Sequence, residues 1–206
     1  MHSQHFSIAE LPVTPWKNGG GSTRELASWP PGAGLEAFDW RVSIATIAAS
    51  GPFSVFAGVD RTIMLLQGDG VRLRARDGSF DHRLDQPFEP FAFSGDLALD
   101  CTLPGAASGD FNLMSRRTRC RAALRVIDQA RVLDPTPHGV LLSLRGTWRL
   151  RGAALTSETM EGSVDVLDEG HGLWWADAPG SPRLVPMSDG ARLAWVSVDT
   201  AAAATP

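Results

Sequence analysis

Lysine is almost missing from this chain: of its 19 lysine and arginine residues, only Lys17 is a lysine. Arginine enrichment of this kind carries no chemical information by itself, but it sets the single ammonium apart. Cysteine is nearly as scarce. Cys101 and Cys120 are too few for a disulfide scaffold and lack metal-ligand spacing, so a reduced, cytoplasmic protein is expected. No apolar run approaches the ~20 residues that span a bilayer. The segment Met1-His2-Ser3-Gln4-His5-Phe6 has neither the basic nor the apolar region of a signal peptide. Positive charge is not in excess either. With 23 acidic side chains the net charge is −4 and the pI is near 5.7, which argues against nucleic acid or an anionic membrane as partner. Long uninterrupted segments are missing too, because 21 glycines and 14 prolines break most stretches before a helix is complete.

What remains is an ordinary globular composition, 43% apolar and 20% charged over 206 residues, enough for a sizeable core in a monomer or homodimer. The dominant period is two. Trp40, Val42 and Ile44 alternate with Arg41, Ser43 and Ala45, and Val71, Leu73 and Ala75 with Arg72, Arg74 and Arg76. Turn signals recur every ~8–12 residues, among them Gly51-Pro52, Gln67-Gly68-Asp69-Gly70 and Asp77-Gly78. An antiparallel sandwich or barrel is expected.

A faint repeat runs through the pattern. Leu66-Gln67-Gly68-Asp69-Gly70-Val71-Arg72-Leu73-Arg74 resembles Leu144-Arg145-Gly146-Thr147-Trp148-Arg149-Leu150-Arg151. Each is followed by an aromatic pair and an acid, Phe91/Phe93/Asp96 and Trp174/Trp175/Asp177. Two copies of one β unit follow from this. The two prolines of Leu133-Asp134-Pro135-Thr136-Pro137 oppose regular pairing and place the junction there, giving units 1–132 and 133–206. Residues 200–206 read as a frayed tail.

The lone lysine sits in Pro15-Trp16-Lys17-Asn18-Gly19-Gly20-Gly21-Ser22-Thr23-Arg24-Glu25. Consecutive glycines let a ligand approach main-chain N–H groups, and an ammonium beside them suits an anion. The same letters also spell an Asn-Gly turn joining two strands. A nucleotide-binding P-loop is excluded, because the lysine precedes the glycines and no helix pattern follows.

Three later blocks accompany this motif in order: Phe38-Asp39-Trp40-Arg41-Val42-Ser43-Ile44-Ala45, Gly51 to Thr62, and Asp110-Phe111-Asn112-Leu113-Met114-Ser115-Arg116-Arg117. Together they resemble the HutD/Ves family of bacterial cupin-like proteins over about residues 6–200. The resemblance implies an all-β, double cupin-like (bicupin) fold with very little helix. It implies no established reaction. HutD proteins are associated with histidine utilisation, where a regulatory role with formylglutamate as ligand has been suggested, and Ves relatives with stress or cold. Ala57 stands where the family pattern has proline, which affects a turn only.

Most cupin enzymes hold a metal through a His-x-His pair, a Glu and a third His. His82, His138 and His171 are scattered here, and between Val55 and Met64 only Asp60 is a donor. No metal and no other cofactor is expected. Cations take that place. Lys17, Arg24, Arg41 and Arg61 lie in the specific motifs, with Glu25, Asp39, Asp60 and Asp110 among them as balancing acids. Arg41 reads equally as a ligand contact or as a salt bridge to Asp39 or Asp60.

The candidate ligand-binding set is therefore Trp16, Lys17, Asn18, Gly19, Gly20, Arg24, Glu25, Arg41, Asp60, Arg61, Asn112 and Arg116. Strand parity groups Asn112 with Asp110, Met114 and Arg116. A metal-independent protein binding a small anionic metabolite, as a regulator, is the first reading. A metal-free isomerase or hydrolase using Lys17 as base and Glu25 or Asp60 as acid is the second. A structural or interaction module is the third, marked by an exposed apolar patch. No catalytic residue is assigned.

Overall fold

A computed structural model describes residues 2–151, 165–177 and 179–200. Residues 201–206, expected as a tail, lie outside it. The described residues form strands and turns only, without helix, and none of them forms a helix able to cross a membrane. The first strand is β1 (His2–Ser7). Ten more occupy the middle of the chain: β2 (Thr14–Pro15), β3 (Gly21–Trp29), β4 (Trp40–Ile47), β5 (Gly51–Phe53), β6 (Val59–Gln67), β7 (Val71–Ala75), β8 (Asp81–Leu84), β9 (Pro90–Ser94), β10 (Leu99–Thr102) and β11 (Ser108–Arg116). The last eight are β12 (Cys120–Ile127), β13 (Arg131–Val132), β14 (His138–Arg145), β15 (Trp148–Arg151), β16 (Asp165–Leu167), β17 (His171–Ala176), β18 (Arg183–Pro186) and β19 (Arg192–Thr200).

Pro12–Cys120 forms one compact unit, and the segments on either side, to Leu11 and from Arg121, form the other. This differs from the 132/133 boundary. Residues His2 to Ser7 pair in antiparallel register with Ala176 to His171, so β1 belongs with the later strands. Pro135 and Pro137 instead interrupt the connection from β13 to β14, inside the second unit. Prolines mark where pairing stops, which is not always where a unit stops.

Each unit is a two-sheet sandwich. The middle unit stacks β2-β3-β4-β11-β6-β9 on β5-β10-β7-β8, and the other stacks β1-β17-β14-β19-β12 on β13-β18-β15-β16. Removing the extra strands β1, β2 and β3 leaves one strand order written twice. β4-β11-β6-β9 corresponds to β12-β19-β14-β17, and β5-β10-β7-β8 to β13-β18-β15-β16. The repeat at residues 66 and 144 falls on equivalent connections, β6 to β7 and β14 to β15, each leading from one sheet of its sandwich to the other. Both copies use the period of two to bury one face of each strand. Ile47, Ile63, Leu65, Leu73, Leu99 and Cys101 fill the middle unit. Leu141, Trp148, Trp175, Leu184, Leu193 and Trp195 fill the other.

Equivalent positions in the two interiors differ sharply. In the middle unit Arg61 pairs across to Phe93 on one side and Met114 on the other. In the second unit Gly139 takes that position, between Trp175 and Ser197. A Cβ at Gly139 would lie 2.4–2.8 Å from the Trp175 indole. The ring is fully buried, donates from Nε1 to the Thr136 carbonyl at 3.1 Å and stacks on Trp195 at 5.4 Å, so it has no room to withdraw. Gly139→Ala is expected to lower stability by about 1–3 kcal/mol, the usual cost of overpacking a close-packed core. An unchanged urea midpoint would show that the indole can yield.

Candidate functional site

The glycine block proves to be a hairpin turn joining β2 to β3. Trp16 N–H donates to the Gly21 carbonyl at 2.9 Å, Gly19 N–H to the Trp16 carbonyl at 3.0 Å, and Gly20 N–H to Asn18 Oδ1 at 3.0 Å. Gly19 adopts φ +70°, which a side chain would resist. The N–H groups of Gly19 and Gly20 are thus spent within the turn and do not face an anion. Lys17 and Asn18 are exposed. The burial on which a role for Lys17 as base depends is absent. The block's inward contribution is Trp16, whose Nε1 donates to Thr23 Oγ1 at 2.7 Å and whose ring packs against the middle-unit core.

The inner face of β3, β4, β11 and β6 carries a ladder of polar rows. Thr23, Ala45, Asp110 and Leu65 lie across one row, and Glu25, Ser43, Asn112 and Ile63 across the next. Ser28, Arg41, Met114 and Arg61 form the third. Such a line of polar side chains inside a sandwich is expensive unless each finds a partner. Most do. Arg41 Nε donates to Glu25 Oε2 at 2.6 Å and its Nη1 to Ser43 Oγ at 3.3 Å, while Ser28 Oγ donates to Glu25 Oε1 at 2.8 Å. The salt bridge foreseen for Arg41 therefore exists, but its acid is Glu25; Asp39 lies 3.9 Å from Arg119 instead.

Arg61 is the exception. It is 8% exposed and has no carboxylate partner among the described residues. Its Nη2 donates to Asn112 Oδ1 at 3.1 Å and its Nη1 to the Ser54 carbonyl at 3.4 Å, while Nε is buried with no partner among the described residues. Phe53, Phe93 and Phe56 surround the guanidinium, with ring centroids 5.0, 5.2 and 5.5 Å from its carbon. Their ring faces favour a cation, yet they replace none of its charge. Burial, and secondarily the charge of Arg41, lowers the Arg61 pKa to about 10, so it remains cationic at neutral pH.

Asp110 is the second unusual group. It is fully buried, with Oδ1 accepting from Ser108 Oγ at 3.1 Å and Oδ2 without a partner among the described residues. Burial raises its pKa to about 7, opposed only by the Ser108 hydrogen bond. Cys101, on the facing sheet, is pushed up to about 12 by burial and by the Asp110 charge.

Three expected residues stand apart from this face, Arg24 and Asp60 by strand parity and Arg116 by its own bonds. Arg24 lies across from Ile44 and so points to the other side of its sheet. Asp60 also faces away and accepts from Arg117 Nε at 2.7 Å, Arg117 being bonded to Asp96 as well. Arg116 donates to the carbonyls of Phe38 and Glu36 at 3.2 and 3.0 Å and lies over the Phe38 ring, fastening the loop before β4. The structure thus brings together Glu25, Arg41, Arg61 and Asn112, while Trp16 packs beside Thr23 against the middle-unit core. It adds Asp110, Ser43 and the three phenylalanines. Asp110 is legible in the sequence as an acid on the parity of Asn112; the phenylalanines read only as core.

A metal, usual in this fold, does not fit these residues. Among the described residues no three His, Cys, Asp or Glu side chains gather to hold one. The position facing Phe93 is a guanidinium, Glu25 is engaged by Arg41, and Asp110 has no imidazole or second carboxylate beside it. Among the described residues the second unit has no counterpart of the site. Gly139, Trp195 and Leu193 stand where Arg61, Asn112 and Asp110 stand in the first.

Duplicated strand order and one cation-bearing interior define a double cupin with a single candidate site. Solved structures with only 9% sequence identity share the fold: protein Ylba from E. coli (TM-score 0.67, covering 95% of this chain and 90% of that one) and an oxalate decarboxylase from Lactobacillus farciminis (0.64, 94% and 85%). The chain belongs to the HutD family, whose profile matches residues 8–190. It is 41% identical over 156 residues to Protein Ves of Citrobacter koseri, covering 75% of this chain and 80% of that protein. HutD from Pseudomonas fluorescens SBW25 matches with a TM-score of 0.81 at 29% identity, over 98% of this chain and 100% of that one.

Proposed function

We propose that this protein binds a small carboxylate-bearing metabolite inside the middle unit, without a metal, and through it regulates histidine utilisation. The observation that carries the binding reading is Arg61. A guanidinium this buried, lacking a carboxylate among the described residues, is held at a cost that a carboxylate guest would offset. Asn112 orients the guest, Arg41 adds positive potential although Glu25 holds it, and Trp16 closes the wall. The regulatory part rests on kinship with HutD, and formylglutamate is the first ligand to try. The acid–base alternative loses its support, since Lys17 and Asp60 are exposed and Glu25 is bound by Arg41.

Isothermal calorimetry with formylglutamate, glutamate and succinate tests this. One of them is expected to bind, with Lys17→Ala changing its affinity by less than about threefold, because an exposed turn ammonium contributes little. Silence with all three would overturn the reading, and a large loss in Lys17→Ala would move the site to the turn.

A further inference from the structure

We propose that Asp110 is a specificity residue of this site: it reads the end of the ligand remote from its carboxylate and selects a neutral hydrogen-bond acceptor there. This rests on the carboxylate-binding reading of Arg61. The geometry is that of one strand. Asp110 and Asn112 are two residues apart in β11 and share the inner face, which separates them by about 7 Å. Asn112 already touches Arg61, so a short acid anchored at Arg61 and Asn112 can reach along β11 to the next row, where Asp110 lies. There Oδ2 is buried and has no partner among the described residues, while Oδ1 is occupied by Ser108. An orphaned buried oxygen, one step along β11 from the Asn112 that holds an unbalanced cation, is unusual enough to call for an occupant.

Charge decides what that occupant is. The titratable and charged groups on this inner face are Cys101 from β10, His82 from β8, Arg61 from β6, Arg41 from β4 and Glu25 from β3. The inward residues of β5, β7 and β9 are apolar: Phe53; Val71, Leu73 and Ala75; Phe91 and Phe93. Arg41 is neutralised by Glu25, which leaves Arg61 as the one unbalanced cation among these groups. The interior therefore accepts a single negative charge, and a second carboxylate at Asp110 would be buried uncompensated. Burial keeps Asp110 protonated up to about pH 7, so its O–H is available to an amide, formyl or hydroxyl oxygen. Ionisation above that pH removes the donor and adds repulsion.

The test compares matched pairs by calorimetry: succinamate against succinate, and glutaramate against glutarate. Wild-type protein, Asp110→Asn, Asp110→Ala and Arg61→Gln are each titrated from about pH 6 to about pH 8; the half-amides stay singly charged over that range, so the pH slope is read from them, and acid and half-amide are compared at about pH 7. Wild-type protein is expected to bind the better half-amide roughly tenfold or more tightly than its diacid, with affinity falling as pH rises past about 7. Asp110→Asn keeps a donor that does not titrate, so it should retain the preference and lose the pH slope. Asp110→Ala should lose both. Equal binding of acid and half-amide, or a slope that persists in Asp110→Asn, would overturn the proposal. Binding that requires Arg61 but ignores Asp110 would sink this inference alone. Failure of all four acids to bind would take the Arg61 reading down with it.

Discussion

Arg61→Met is expected to weaken carboxylate binding about a hundredfold or more and, in the same variant, to raise the stability of the free protein. The first effect follows from removing the one unbalanced cation among the described groups of this inner face. Truncating a buried, hydrogen-bonded charge facing an opposite charge costs ~2–5 kcal/mol, and each ~1.4 kcal/mol is tenfold in affinity. The second follows from the cost of keeping that charge. Its pKa falls from 12.5 to about 10, so between neutral pH and about 10 the folded state is penalised by roughly 3 kcal/mol relative to a solvated arginine. Methionine fills a similar volume among Phe53, Phe56 and Phe93 without that penalty. It leaves the Ser54 carbonyl and Asn112 Oδ1 without their arginine donor, about 1 kcal/mol each. The balance is a gain of about 1–2 kcal/mol, readable as a higher urea midpoint with an unchanged slope. A variant that loses both binding and stability would mean that Arg61 holds the fold, and the anion reading would lose its main support.

The opposite signs separate a functional cation from a structural one. Arg72 and Arg76 make two-pronged contacts with Asp81 and Asp100 on exposed strands, and their replacement removes a surface pair of small value. Arg41 is intermediate, since Glu25 balances it. Only Arg61, among the arginines of this inner face, is buried with its charge unanswered.

Period and turn chemistry make the all-β architecture readable in the chain, and the repeat at 66 and 144 makes the duplication readable. Both are local signals, and both sit on equivalent strands. The unit boundary is not readable, because the pairing of β1 with β17 joins residues about 170 apart, and nothing local announces such a partner. The site is half readable. Strand parity by itself groups Asn112 with Asp110, and motif density singles out Arg61. Parity applied to β3 and β6 as well turns Arg24 and Asp60 away from Glu25 and Arg61, since neighbours in a strand face opposite sides. Lys17 draws attention by rarity. Rarity is a property of composition, whereas function needs burial or a partner, and the turn supplies neither to the ammonium. The aromatic clamp on Arg61 is not foreseeable, because Phe93 of β9 joins Phe53 and Phe56 around the guanidinium only once the sandwich brings the two segments together.

Asp110→Asn is expected to leave stability near wild type in acid and to exceed it increasingly as pH rises to about 7. The carboxyl pKa is raised from 3.8 to about 7 in the folded state, so between those values the folded protein holds a proton that the unfolded chain has lost. Wild-type stability from this group is therefore fully present below about pH 4 and is lost as pH rises through about 7, after which the deficit is constant. A shift of this size corresponds to about 4 kcal/mol at most, as an order of magnitude. Asparagine keeps the Ser108 hydrogen bond at Oδ1 and places an uncharged amide where the protonated acid had its O–H, so the two proteins match when Asp110 is neutral. Other acids act in the reverse direction. Asp96, held at about 2 by the Gly58 N–H, Arg117 and Ser94, stabilises the fold above the ordinary carboxylate range and ceases to do so in acid. That contribution is common to both proteins and cancels in the difference. Urea unfolding of the pair from about pH 4.5 to about pH 8 should give curves that diverge with rising pH and become parallel beyond about 7. Parallel curves across the whole range would mean that Asp110 titrates normally. The residue would then be an ordinary anion in the wild-type interior, and its proposed role as a donor to the ligand would fall.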